Sequence, residues 1–188
     1  MKKKKIYIMY SYTGTILSRI IKVFTHEKYV HISISLDKKL KKVYSFGRQN
    51  PRWMFPCGFA MEDIQLISQV CKNTICQLYE LEISQSSYYK LKRNLKKYIK
   101  HKNCYRYNIK GLFHINFNKI YQRDTHFVCS QFIGKLFIDS DIYDFKKDYS
   151  IIKPKDIVSI PNNKLIYEGK TIDLIKILKT DSKRIFKD

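Results

Sequence analysis

Cys129 and His31 are the two residues of this 188-residue chain whose types and positions favour nucleophilic chemistry. Cys129 comes at the start of an amphipathic run in which Phe132, Ile133 and Leu136 recur at helical spacing. At the start of a helix, free backbone N–H groups and the helix dipole stabilise a thiolate. Because these four residues share one helix face, the thiol points toward the core, and this position by itself favours a small, inert core cysteine.

His31 is the histidine best placed to activate that thiol. It lies near the start of an alternating strand and shares a face with the small Ser33 and Ser35, which leaves room for a helix to approach and for the imidazole to reach its end. A neutral imidazole takes the thiol proton, and the resulting ion pair is the nucleophile. The alternative for His31 is a hydrogen-bonded histidine at the sheet surface. The other histidines fall in turns, in polar stretches or on the helix of Cys129 itself; they are His26, His101, His114 and His126.

The first third of the chain predicts a strand, a helix and a hairpin that would position His31. Residues 6–10 are β-prone, and apolar residues then recur at helical spacing over 15–24. Alternating residues predict a strand over 29–36, and a second strand over 42–46 follows a polar turn at 37–41.

The rest of the chain mixes strands and helices without regular βαβ alternation. Residues 47–61, rich in Gly, Pro and aromatics, are predicted to be an irregular loop, followed by a strand over 76–83 and a helix capped within 84–87. Asp124 or Thr125 is a suitable cap for the helix of Cys129, and 157–160 with 165–167 is predicted to be a small hairpin. The pattern favours a single α+β domain over residues 1–188.

The charge is strongly basic, with 37 Lys and Arg against 16 Asp and Glu and a formal net charge of +21. Only 7 of the 37 are Arg, the residue better suited to bidentate contacts with phosphates and bases. We therefore expect no specific nucleic-acid recognition, and only weak, non-specific contact with anionic surfaces. The basic side of the helix after 84–87 carries no interleaved aromatic residues, so we interpret it as a solvated face.

The termini and the cysteines predict a cytoplasmic protein without cofactor or metal. The apolar stretch after the lysines at 2–5 is too short for a signal peptide, and no run of 18 apolar residues occurs. The five cysteines are scattered and form no CxxC pair, which argues against a disulfide framework and a zinc site.

The order of five segments resembles a known superfamily. They are VHISISLD, VYSFGR, CYRYNIKGLF, HFVCSQFIGKLF and KPKDIVSIPN, and together they span roughly residues 6–170. In this order the chain is similar to the circularly permuted branch of the papain-like NlpC-type peptidases, which includes YiiX-like and lecithin:retinol-acyltransferase-like members. In that branch the histidine strand precedes the cysteine helix. The resemblance implies a papain-like fold in which an antiparallel sheet packs against the helix of Cys129.

The same resemblance implies a thiol hydrolase or acyltransferase, with Cys129 as nucleophile and His31 as general base. The substrate would be a peptide or a lipid-type acyl compound. A third, polar residue orients the imidazole in this superfamily. Two candidates stay open for it: Ser45, on the strand after His31, and Glu62, whose carboxylate would hold an imidazolium better than a hydroxyl.

The resemblance also covers the segment before the cysteine helix, where Tyr105, Tyr107 and Asn108 are candidates to line a substrate cleft. Ordinary aromatic packing is the alternative for the tyrosines. The oxyanion would be held by the Cys129 backbone N–H and by a donor from the loop before the helix. Two other functions remain open at this level: a basic module that binds nucleic acid or an anionic membrane, and an inactive papain-like scaffold.

Overall fold

The computed structural model describes residues 2–184; Met1 and residues 185–188 of the expected domain lie outside the described residues. Strands and helices follow one another in this order: β1 (Lys3–Tyr12), α1 (Ile16–Thr25), β2 (His31–Ser35), β3 (Val43–Arg48), β4 (Cys57–Glu62), α2 (Ile64–Val70), β5 (Ile75–Ser84), α3 (Gln85–Lys100), β6 (Arg106–Tyr107), α4 (Ile109–Asn116), β7 (His126–Phe127), α5 (Cys129–Asp139), α6 (Pro154–Val158), β8 (Asn163–Lys170) and α7 (Thr171–Arg184). The predicted α+β class is confirmed.

Six antiparallel strands form the main sheet in the order β4-β3-β2-β1-β5-β8. The hairpin predicted between β2 and β3 is present, and the Asp37 carboxylate holds its turn by accepting from the backbone N–H groups of Lys39 and Lys41. β6 and β7 pair separately as a short parallel ladder just before α5. In this register β3 separates β2 from β4, with Ile34 paired to Tyr44 and Val43 to Glu62.

One face of the sheet carries the main hydrophobic core. Ile32, Ile34 and Phe46 point to this face and are fully buried against α5, which contributes Phe132 and Ile133. Aromatic rings concentrate here, and the Phe46 ring lies 5.0 Å from that of Phe132, measured between centroids. This packing fixes α5, and with it Cys129, against the centre of the sheet.

The opposite face carries the smaller side chains of β2 and is covered by different helices. Its core joins residues of β1, β3 and β5 to Ile64 of α2 and to Leu174 of α7. We expected the cysteine helix to approach the face of Ser33 and Ser35, and this was wrong. The helix packs on the Ile32 face because its own stripe is large and apolar and needs an equally apolar partner.

The structure corrects two further predictions and adds three helices. The loop predicted over 47–61 contains strand β4, which ends at Glu62. Residues 157–160 do not form a strand, because Pro154 starts the short helix α6 there, and β8 pairs with β5 instead. Helices α2, α4 and α7 were not predicted. The helices α2 and α4 are short, and α7 alternates apolar with charged residues.

The basic side of α3 is solvated, as predicted. Lys92, Arg93, Lys96 and Lys97 are exposed, whereas Leu91 and Leu95 are buried. Within residues 2–184, no helix combines the length and the apolar character that crossing a membrane requires.

Candidate active site

Three strands bring His31, Ser45 and Glu62 together on one face of the sheet. His31 begins β2, Ser45 lies inside β3, and Glu62 ends β4. His31 Nε2 lies 2.5 Å from Glu62 Oε1, and Ser45 Oγ donates to the same oxygen at 2.5 Å. The small residues of this face make the contact possible, since a Cβ at Gly47 would come within 3.1 Å of the His31 ring. Glu62 is therefore the direct partner of the imidazole, and Ser45 acts on Glu62.

The His31–Glu62 contact is a buried ion pair. The side chains are 22% and 7% exposed. Burial alone lowers the pKa of His31, but the charge of Glu62 and hydrogen bonds to Cys129 and Glu62 outweigh it and raise this pKa to about 10. Burial alone raises the pKa of Glu62, but the charge and hydrogen bond of His31 and the Ser45 hydroxyl lower it overall. At neutral pH the pair is imidazolium and carboxylate.

Ser33 completes the surroundings of Glu62. Its hydroxyl also lowers the pKa of the carboxylate. Nevertheless Ser33 Oγ and Glu62 Oε2 are both buried without a partner that meets hydrogen-bond geometry within the described residues. Ser45 is therefore the serine that forms a hydrogen bond with Glu62. One oxygen of Glu62 is tightly bound, and the other retains capacity for a donor.

Cys129 is the first residue of α5 and is buried at the end of the helix that faces the sheet. The helix begins here rather than at Asp124 or Thr125, because residues 126–127 form β7 and extend the chain up to Val128. The proximity of Cys129 contributes to the raised pKa of His31. Glu62 engages Nε2, which leaves Nδ1 as the other ring nitrogen.

Gln131 holds the start of α5 in place where no polar N-cap side chain is present. Its Oε1 accepts from the Val128 backbone N–H at 3.0 Å, and its amide nitrogen donates to the Ser150 carbonyl at 2.9 Å. The side chain of Asn108 donates to the same Oε1 at 3.4 Å. This buried network fixes the backbone around Cys129.

Two cavities flank the pair of His31 and Cys129. The first, of ≈ 210 Å³, lies on the His31 side, and its polar lining includes Arg48 and Glu62. The second, of ≈ 200 Å³, contains Cys129, and its lining mixes apolar side chains of α1 and α4 with polar and charged ones. Tyr107 lines both cavities, and burial together with the nearby Cys129 raises its pKa well above the usual value. A ligand that spans His31 and Cys129 can therefore contact both cavities.

Sequence reasoning missed Tyr10. This β1 residue is 5% exposed, lines the cavity of Cys129, and its hydroxyl has no hydrogen-bond partner among the described residues. Burial, and also the charges of Glu27 and Cys129, raise the pKa of Tyr10. In the sequence, Tyr10 is one of several neighbouring β-prone apolar residues. The hydroxyl group is the only feature that distinguishes it from them.

Of the three residues expected to line the cleft, only Tyr107 does so. The Tyr105 ring packs against that of Tyr98, with centroids 4.8 Å apart. Asn108 is buried and caps α4, because its Oδ1 accepts from the Gly111 backbone N–H at 2.9 Å. The cleft-lining role is therefore wrong for Asn108, whose side chain is engaged in structural bonds, and the aromatic-packing alternative applies to Tyr105.

The ion pair predicts a specific pH dependence of stability. The folded pKa of His31 lies above its unfolded value, so its contribution is full below about pH 6.5 and is lost as the pH rises toward about 10. Glu62 has a lowered pKa, so its contribution is lost as the pH falls below about 4.5. We expect the free energy of unfolding to fall between pH 6.5 and 9 more steeply in the native chain than in His31→Gln, measured by urea denaturation. Equal slopes would contradict the assigned charge state.

Comparison of the chain with protein-family models, with curated proteins and with solved structures gave no match. Within residues 2–184, no group of three or more His, Cys, Asp or Glu side chains is arranged to hold a metal ion. The functional argument therefore depends on the geometry of His31, Glu62, Cys129 and the two cavities.

Proposed function

We propose that this protein is a thiol hydrolase or acyltransferase of the permuted papain-like type, with Cys129 as nucleophile, His31 as base and Glu62 as the residue that orients and charges the imidazole. The observation that carries the proposal is the position of His31, whose Nε2 contacts the buried Glu62 carboxylate at 2.5 Å and whose pKa is raised by Cys129 as well as by Glu62. An imidazolium beside a cysteine at a helix N-terminus favours the thiolate nucleophile.

Acyl transfer would take place in two steps. The Cys129 thiolate attacks the carbonyl carbon of an amide, ester or thioester, and the His31 imidazolium gives its proton to the departing amine, alcohol or thiol. The neutral imidazole then removes a proton from water or from an amine acceptor, which attacks the thioester and restores the thiolate and the imidazolium. Glu62 remains ionised throughout and stabilises the imidazolium.

Two donors are positioned to bind the oxyanion. The backbone N–H of Cys129 belongs to the first turn of α5, where N–H groups have no partner within the helix. Tyr10 lines the same cavity, and its buried hydroxyl has no partner within the described residues. The expected donor from the loop before the helix stays a prediction, and we propose the Tyr10 hydroxyl beside it.

The substrate in this proposal is a peptide amide or a lipid-type ester. The acyl group would lie in the cavity of Cys129, beside apolar side chains such as Leu112 and Ile115, and the leaving group would lie in the cavity on the His31 side. Because the nucleophile must remain a reduced thiol, a cytoplasmic setting suits the mechanism.

The first test is the selective reactivity of Cys129. At neutral pH, iodoacetamide should modify Cys129 before Cys57, Cys71, Cys76 and Cys104, because only Cys129 neighbours an imidazolium. Peptide mapping after brief labelling measures the order. Cys104 is the informative comparison, since it is exposed whereas Cys129 is buried.

Two variants make the labelling result decisive. Cys129→Ala should remove the fast phase, and His31→Gln should slow it while Cys104 labels as before. A short-chain nitrophenyl ester should leave an acyl group on Cys129 that intact mass detects. Labelling that follows exposure alone, with Cys104 first, would contradict the proposed function.

A further inference from the structure

Helix α1 exposes an apolar stripe beside the cavity of Cys129. Ile16, Ile20 and Val23 follow one another at helical spacing and are 64%, 46% and 69% exposed. On its inner side the same helix contributes the buried Ile21 to the cavity. Packing within the chain accounts for the inner side of α1 and leaves the outer stripe in contact with solvent.

Helix α4, which borders the same cavity, also exposes apolar side chains. Its Leu112 and Ile115 line the cavity. Ile109 and, just beyond the helix end, Phe117 are exposed, Phe117 by 74%. Ile120 follows in the next connection and is also exposed. Two segments that border the same cavity thus present large apolar side chains to solvent, which is uncommon for a surface with no binding role.

The charges on these segments all have one sign. Arg19 and Lys22 accompany the α1 stripe, and Lys110 and Lys119 accompany the α4 residues; all four are exposed. Residues 16–25 and 109–123 contain no Asp or Glu. Among residues 2–184, the recorded ion pairs include none of these four cations. The surface is therefore apolar and cationic together.

We propose that this surface docks the protein onto an anionic lipid bilayer, with the mouth of the Cys129 cavity facing the membrane. We call it the cleft-rim surface, and it comprises Ile16, Arg19, Ile20, Lys22, Val23, Ile109, Lys110, Phe117, Lys119 and Ile120. Its aliphatic side chains would enter the interfacial region, and its cations would contact acidic headgroups. Lys153 and Lys155, which line the same cavity, add positive charge at that position.

A bilayer fits this surface better than nucleic acid does. The exposed side chains are mostly aliphatic, whereas single-stranded nucleic acid is bound by aromatic platforms between the charges. Arg19 is the only arginine of the cleft-rim surface, which also disfavours base recognition. The interface requires no particular headgroup beyond negative charge.

The test is co-sedimentation of the full chain with vesicles. Binding to phosphatidylcholine vesicles that contain about 30% phosphatidylserine should exceed binding to pure phosphatidylcholine, and it should weaken between about 0.1 M and 0.5 M salt. The variant Ile20→Ser with Val23→Ser should bind the acidic vesicles at least about tenfold more weakly. Its matched control is Leu165→Ser with Ile177→Ser, which removes two exposed apolar residues elsewhere and should bind normally.

A second pair of variants separates the surface from general basicity. One double variant, Arg19→Gln with Lys22→Gln, removes two positive charges from the cleft-rim surface. The other, Lys92→Gln with Lys96→Gln, removes two from the solvated side of α3. Only the first double variant should weaken vesicle binding strongly. Equal losses in the two, no effect of the serine variant, or binding to RNA without binding to acidic vesicles would overturn the proposal.

The docking surface does not depend on catalysis. Cys129→Ala should bind vesicles as the native chain does. Vesicle binding without selective labelling of Cys129 would support the docking surface and contradict the proposed function. Selective labelling without vesicle binding would support the proposed function and contradict the docking surface.

Discussion

Replacing Glu62 with glutamine is expected to lower the rate at which Cys129 is acylated by about two to four orders of magnitude. Glutamine can still accept a hydrogen bond from His31 Nε2, but it carries no charge. The imidazolium then loses the nearest group that stabilises it, because Glu62 Oε1 lies only 2.5 Å from Nε2. The measurement is the second-order rate constant with a short-chain nitrophenyl ester, followed by release of nitrophenolate.

The pH profile of labelling distinguishes this role from a structural one. In Glu62→Gln the rise in iodoacetamide labelling of Cys129 should move to higher pH, because the ion pair with His31 forms less readily. Ser45→Ala is the matched control: it removes a hydrogen bond to Glu62 and keeps the charge, so a loss of about tenfold is expected. Unchanged acylation and an unchanged profile in Glu62→Gln would mean that the carboxylate only holds β4 in place.

Replacing Tyr10 with phenylalanine is expected to lower the acylation rate by about 10²–10³ and to leave iodoacetamide labelling unchanged. Acylation of an ester develops an oxyanion that needs donors, whereas alkylation of the thiol develops none. The ring would keep its packing against Tyr29, with centroids 5.3 Å apart. Because the buried hydroxyl has no partner among the described residues, its removal should not destabilise the fold.

Tyr29→Phe is the matched control for Tyr10→Phe. Tyr29 lines the same cavity, but its hydroxyl donates to Glu168 at 2.7 Å, so it is directed to another partner. The acylation rate of the Tyr29→Phe variant should remain near that of the native chain. If Tyr10→Phe lowered the acylation rate and the iodoacetamide labelling rate equally, the substitution would act on the thiol itself. If it lowered neither rate, Tyr10 would not belong to the oxyanion site.

The local elements of the site were predictable from the sequence because their signals are short in range. Alternation around His31 predicted β2, and the apolar stripe after Cys129 predicted α5, with the cysteine in its first turn. The start of α5 was misplaced by a few residues, because Asp124 and Thr125 look like caps while Gln131 performs that function from inside the helix.

The sequence alone did not show which side chains meet across neighbouring strands. Ser45 and Glu62 were both candidates for the orienting residue, and only the register of β3 and β4 decided between them. In that register Val43 pairs with Glu62 and Ser45 with Ala60, so that both polar groups lie on the face of His31. Strand β4 was not predicted within residues 47–61, because loop-forming residues such as Pro51 and Pro56 precede it.

The sequence by itself determined an α+β chain with a histidine strand, a later cysteine helix and a solvated basic side on α3. Tertiary structure decided the rest: that Glu62 holds His31, that the Tyr10 hydroxyl is buried beside Cys129, and that α5 packs on the Ile32 face. The physical reason is distance along the chain. Periodicity reports which face of an element is apolar, but residues far apart in sequence, such as His31 and Cys129, meet only when the register of the sheet and the packing of the core have positioned their elements.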